Sequence, residues 1–255
     1  LDVLQHNRPL QCYIASNASD KIAQQVASQS IIGTMLFGII IGNMSLSTLL
    51  GVVAMLPSII FAVFGAKYAG KHGSKKGIVT WSAVCMAVAI IMIVYFVAID
   101  PTKIASMGPV MIIYVLLTLA FNGAKMCVTT CGTSFMADCI DYELYRSGKF
   151  VPAVVSGTYS LLDKIISSFG ALIATAAVAL LGYTTTMPQP GDPCTTPLFW
   201  MTMFLYFGLP ILGWIVSLVA MRYCDLSKEK MVEVQKAIAE KKAAAKAEVI
   251  ADNMK

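Results

Sequence analysis

Residues 78–99 read IVTWSAVCMAVAIIMIVYFVAI, an unbroken run with no charged side chain. A bilayer core about 30 Å thick is crossed by roughly 20 apolar residues in a helix, and lipid offers no partner for an unsatisfied backbone. This run therefore predicts a transmembrane helix. Working outward, 47–66, 109–137, 153–182 and 198–221 have the same character. The composition agrees: 57% of the 255 residues are apolar, only 13% are charged, and mean hydropathy is +0.73. A soluble domain of this length needs far more polar surface.

A sixth segment, 10–42, is apolar from Ile31 to Ile41 but carries Asn17, Asp20, Lys21, Gln24, Gln25 and Gln29 in its middle. Its length, and the tight turn Gly42-Asn43-Met44-Ser45 after it, predict a span lining an aqueous path. The cations support that count. With the N-terminus inside, Lys67, Lys71, Lys75, Lys76, Arg146, Lys149, Arg222 and the terminal lysines all fall on the cytoplasmic side, and the opposite loops hold only Lys103. The expected fold is thus an all-α integral membrane bundle of six spans over 1–225, with both ends cytoplasmic in the cell (inner) membrane.

Residues 226–255 form a charged, Ala-rich tail in which Met231, Val234 and Ile238 recur at helical spacing. It reads as a cytoplasmic amphipathic helix, either solvated or lying on anionic lipid. Tyr183 to Pro197, with four prolines, reads as an irregular external loop. Trp200, Trp214, Tyr223, Tyr114 and Tyr183 fit interfacial belts, the default reading, or a sugar-stacking wall. The chain begins at Leu1 without a basic n-region, so Leu1 is expected to be a cut point.

Charges within a hydrocarbon layer usually face a cavity or a partner. Asn17, Asp20 and Gln24, spaced i, i+3, i+7, place three polar groups in one helical stripe, as a solute path requires. The plainer alternative is an adjacent Asp20–Lys21 pair that neutralises itself. Lys125 lies on the fourth span, with Asn122 three residues before and Thr129 four after. Asp163 and Lys164 lie well inside the fifth, about 100° apart on the helical wheel, so one is free to face a cavity while the other pairs with a neighbour. Tyr159 and Ser160 precede them. Asp138, Asp141, Tyr142 and Glu143, followed by Arg146 and Lys149, suit a salt-bridged gate at the inner face, or plain interfacial solvation. There is no Ser-His-Asp, Cys-His or zinc-ligand set, and no phosphate-cradling glycine loop, so neither an enzyme nor an ATP-driven pump is expected.

The run Ala137-Asp138-Cys139-Ile140-Asp141-Tyr142-Glu143-Leu144-Tyr145-Arg146-Ser147-Gly148-Lys149 resembles the A-D-x-x-D-Y-x-x-Y-x-x-G-K segment of the glycoside–pentoside–hexuronide:cation symporters, melibiose carriers among them. The similarity continues through Tyr159-Ser160, Lys164 and Gly170 to Leu181-Gly182-Tyr183. Asn7-Arg8-Pro9-Leu10 is similar to that family's start of helix seven, and Gly65 to Gly77 to a basic loop of the major facilitator superfamily. The resemblance implies that the chain is the C-terminal half of a twelve-helix fold, with solute held between two bundles near mid-membrane. It also implies that Lys164 lies beside the sugar and cation region and that Ser160 lines the same pocket. Two departures stand out: Val151-Pro152-Ala153 replaces the R-E-G of many members, and Gly70 replaces an Asp of the basic loop.

The expectation is therefore cation-coupled symport of a sugar, glycoside or uronide by alternating access, with no cofactor. Lys164, Ser160, Tyr159, Asp20, Asn17, Gln24, Lys125 and Thr129 are expected to line the solute site, and Asp138, Asp141, Tyr142 and Arg146 to form the gate. The Na+ or H+ site is expected on a missing N-terminal six-helix bundle, because the resembling family carries its cation-binding carboxylates there. The alternatives are a non-sugar solute, such as a lipid or sulfonated compound, and a six-helix channel or structural subunit acting as an oligomer.

Overall fold

The computed structural model describes residues 5–184 and 186–253, and among these every regular element is helical. Helix α1 (Arg8–Ala27) starts where the Asn7 side chain accepts the Leu10 amide at 3.0 Å, with Pro9 in the first turn where no amide is needed. It stops at Ser28, because Gln29 is extended (φ −65°, ψ 133°). Helix α2 then resumes as Ser30–Gly33 and widens into a π-helical stretch, Thr34–Ile40. The segment predicted as the first span is therefore two helices, interrupted just beyond its polar stripe. The freed carbonyl of Gln25 is taken up by Ser28 Oγ at 3.0 Å and Gln29 Nε2 at 3.1 Å.

Gly42, at φ +81°, makes the reversal into α3 (Met44–His72), and Ser30–Ile40 meets Met44–Met55 at 118°. A left-handed backbone there carries no steric cost for glycine. Gly73 (φ +92°) alone separates α3 from α4 (Ser74–Ala98). After a 3-10 turn at Pro101–Ala105 come α5 (Pro109–Ser147), α6 (Pro152–Leu180) and α7 (Thr196–Arg222), the last with a π-helical stretch at Phe204–Gly208. Helix α8 (Lys228–Asn253) follows. Helices α4, α5, α6 and α7 are each long and apolar enough to cross a membrane, and the bent pair passes the same test jointly. Broad apolar faces remain uncovered, including Ile59, Ile60 and Phe64 on α3 and Ile90, Ile91 and Val94 on α4, as lipid contact requires.

Helix α5 packs against α3 and α4, α1 packs against α6 and α7, and α4 joins the two sets through α7. The interior divides along its length. One apolar cluster, at the terminal end where α1 starts and α7 finishes, contains Leu10, Tyr13, Ile78, Cys131, Phe135 and Met221. The other, towards the far end, contains Val26, Cys85, Phe121, Val128, Phe207 and Trp214. Between these clusters four helices carry polar residues: Ser16 and Asp20 on α1, Ser82 on α4, Thr129 on α5 and Ser217 on α7.

Several elements differ from expectation. The predicted fourth span ends at 137, but α5 runs on to Ser147, where Gly148 (φ +71°) caps it. Asp138 through Arg146 are thus its last turns. The predicted basic loop is helical on both sides of Gly73, since long cationic side chains reach water from a helix end without breaking it. Trp214 and Tyr114 are core residues, 1% exposed, and not belt residues; Trp200 and Tyr223 do lie outward. Helix α8 has the apolar stripe expected of it, but the stripe neither faces solvent nor lies free for lipid. Val234 and Ile238 are buried, Met231 packs on the terminal-end cluster, and Lys228 Nζ donates to the Lys71 carbonyl at 2.6 Å.

Helices α1 and α7 approach closely at Gly213, where an added Cβ would stand 2.9 Å from the Ser19 carbonyl oxygen. Gly213→Val is expected to destabilise the fold by about 1–3 kcal/mol, read as a lowered thermal midpoint in detergent. Gly51→Val, at a position with open space, is expected to leave the midpoint unchanged.

Candidate functional site

The polar layer encloses a cavity of about 120 Å³, lined from α1 by Tyr13, Ser16, Asn17, Asp20, Lys21 and Gln24, from α5 by Thr129, Gly132 and Thr133, from α6 by Tyr159 and from α7 by Ser217. Tyr159 stacks on Tyr13 with ring centroids 5.3 Å apart, and its hydroxyl accepts a hydrogen bond from Asn17 Nδ2. Ser16 and Ser217 hydroxyls share a hydrogen bond of 2.5 Å between α1 and α7. Neither Tyr13 nor Ser217 stood out in the sequence, because each looks like an ordinary residue of an apolar span.

Asp20 is 8% exposed. Its Oδ2 accepts from Gln24 Nε2 at 2.6 Å, while its buried Oδ1 has no partner. The Asp20–Lys21 pair that the sequence allowed does not form. Lys21 turns instead to Asp163 on α6, Nζ to Oδ1 3.6 Å. The two acidic and basic neighbours on α6 thus diverge as their helical angle requires. Asp163 faces α1, whereas Lys164 and Ser160, one turn apart, lie exposed on a side of α6 that no helix among the described residues covers.

A second, wider cavity of about 530 Å³ lies between α2, α3 and α5. Lys125 and Asn122 reach it from α5, Ser47 and Ser58 from α3, and Gln24 and Thr129 line both cavities. Lys125 Nζ sits over the Phe121 ring at 5.1 Å and lies within electrostatic reach of Asp20. The expected solute-site residues therefore form two groups. Asn17, Asp20, Gln24, Thr129, Tyr159 and Lys125 line adjoining cavities, while Lys164 and Ser160 stand on the open face beside Tyr159.

At the terminal end the expected gate residues do not meet one another in a single ion-pair set. Asp138 lines a cavity of about 450 Å³ between α8 and the ends of α3, α4 and α5. Asp141 accepts from Gln235 Nε2 on α8 at 2.6 Å, and Tyr142 lies against Tyr145. Arg146 pairs with Glu143 at 2.7 Å. Glu143, 1% exposed, also accepts from Asn7 Nδ2 at 3.0 Å and so ties the start of α1 to the end of α5. Its burial was not visible in a sequence that sets it beside three other polar residues.

Removing one partner of the Lys21–Asp163 pair leaves a partly buried charge unmatched. Lys21→Ala and Asp163→Ala are each expected to lower the thermal midpoint, with the double variant recovering part of the loss. The double-mutant cycle is expected to give a coupling of about 0.5–3 kcal/mol; additive losses would show that the pair does not hold α1 to α6.

The family model described as MFS/sugar transport protein matches residues 30–228, from the start of α2 to the start of α8. No curated protein matches the chain. The match spans well over half of the sequence, and the all-helical membrane bundle agrees with it. The chain belongs to the MFS/sugar transport protein family and is a multi-pass membrane protein of the transporter class.

Proposed function

We propose that this chain supplies the C-terminal half of a cation-coupled symporter for a sugar, glycoside or uronide. The observation that carries this reading is the polar layer: an apolar bundle with two dry clusters that interrupts itself midway with carboxylates, lysines, amides and hydroxyls around adjoining cavities. Buried polar groups in lipid are costly unless they serve a path. The broken α1–α2 span supports the same reading, because secondary transporters place interrupted helices at their solute sites.

In this account Lys164 and Ser160 face a second six-helix bundle across the open side of α6, and solute binds between the bundles. Tyr159 supplies a ring face with a hydroxyl at its edge, suited to a sugar's apolar and polar surfaces together. Asn17, Gln24 and Thr129 supply amide and hydroxyl partners. The protein forms no covalent bond to solute; it exposes one site to each side of the membrane in turn. The lysine and arginine bias puts both termini of this chain on the cytoplasmic side of the cell membrane. Asp138, Asp141, Tyr142 and Arg146 then lie at the inner gate, which α8 covers.

The test is uptake of a labelled sugar panel into vesicles containing the full-length protein. Wild-type protein is expected to accumulate one class of sugar under an ion gradient, and Lys164→Ala is expected to reduce that uptake about tenfold or more, the loss of one charge-assisted contact. Unchanged uptake by Lys164→Ala would remove Lys164 from the site.

A further inference from the structure

Asp20 and Lys125 line adjoining cavities of the polar layer that share Gln24 and Thr129, and they form no ion pair. Among the described residues no carboxylate lies within the 4.0 Å ion-pair distance of Lys125. Asp20 has one oxygen held by Gln24 and the other buried without a partner. Among the described residues the neighbours from the packed helices offer it no other countercharge. On α1 and α6, Lys21 is already taken by Asp163, and Tyr159 is occupied by Asn17. On α7 the Trp214 indole N–H lies beside the carboxyl without a hydrogen bond of normal geometry, and on α4 the near group is the Cys85 thiol. Among the described residues Lys125 is thus the cation left to balance Asp20, and it also lines the wider cavity where solute has room.

An uncompensated carboxylate in a low-dielectric interior costs several kcal/mol and is relieved by a countercharge or a proton. We propose that Asp20 and Lys125 form a proton-coupling site on this chain for an acidic sugar: the solute's carboxylate takes Lys125, and Asp20, deprived of its countercharge, takes a proton from the open side. One O–H bond forms at Asp20 Oδ1, no other bond changes, and proton and anion cross together with no net charge. On the other side the solute leaves Lys125, the ammonium returns to Asp20, and the proton departs. This rests on the transport reading above, and it adds the coupling ion and the charge class of the solute.

Two measurements on the full-length protein separate the parts. In nanodiscs at neutral pH, Lys125→Met mimics the solute-engaged state without solute. Its infrared spectrum is expected to gain a protonated-carboxyl band that wild type lacks and that disappears in Lys125→Met/Asp20→Asn; the exposed-loop control Lys125→Met/Asp100→Asn is expected to keep it. Absence of the band in Lys125→Met, or its survival in the Asp20 double variant, would overturn the coupling. In proteoliposomes, labelled glucuronate uptake is expected to alkalinise a weakly buffered exterior by about one proton per solute, whereas glucose does neither, and Asp20→Asn is expected to lose the proton movement. Glucose uptake without proton movement would overturn this proposal and leave the transport reading standing. Uptake of neither sugar would overturn the assigned solute class, with the infrared result still deciding the Asp20–Lys125 linkage.

Discussion

A carboxylate held in the middle of an apolar bundle constrains everything around it. Asp20 is 8% exposed, and the helices that bury it must supply donors, since lipid and packed methylenes supply none. Gln24 gives one hydrogen bond from the same helix, and the rest of the layer is built from Ser16 on that helix and Ser217, Tyr159 and Thr129 on three others. The Ser16–Ser217 bond and the contact of Gly213 with Ser19 bring α1 and α7 to nearly backbone distance, so the layer also fixes the helix packing. Under the proposed function the two apolar clusters on either side act as plugs, and the polar middle is where solute is met. Membership of the MFS/sugar transport protein family gives that architecture a purpose consistent with its physics.

The terminal end is organised by a second buried acid. Glu143 gathers Arg146 from its own helix and Asn7 from the start of α1, and α8 lays Val234 and Ile238 into the same end of the bundle. Gln235 reaches Asp141, Tyr145 reaches Glu233, and Arg8 lies 3.5 Å from Asp225. These surface contacts are individually weak. Their value is geometric, because together they join α1, α5 and α8, which have to separate if this end opens.

Much of this was readable from residues alone, for identifiable reasons. Hydropathy marks 78–99 as a span because lipid leaves the backbone no alternative, and the same logic holds for α5, α6 and α7. The polar stripe of α1 was legible from the spacing of Asn17, Asp20 and Gln24. Its break at Gln29 was not, since neither proline nor glycine marks it. The pairing of Lys21 with Asp163 depends on which helices are neighbours, and spacing within one helix carries no information about that. Trp214 and Tyr114 were misplaced because aromatic residues suit interfaces and cores equally well, and burial is settled by tertiary packing. Helix α8 shows the same limit: its stripe of Met231, Val234 and Ile238 announces an apolar partner without saying whether that partner is lipid or protein. The family model starts at residue 30, so α1, which carries Asp20, is read from its own chemistry and not from the match.

The central claim is that the polar layer lines a water-filled path at mid-depth. Thr129 is exposed and lines both cavities, whereas Ile59 faces outward from α3 among apolar neighbours. In a cysteine-free background, Thr129→Cys and Ile59→Cys can be challenged in sealed vesicles with a membrane-impermeant thiol reagent. The account predicts rapid labelling at position 129 and little at 59. Equal resistance of both positions to the reagent would contradict it.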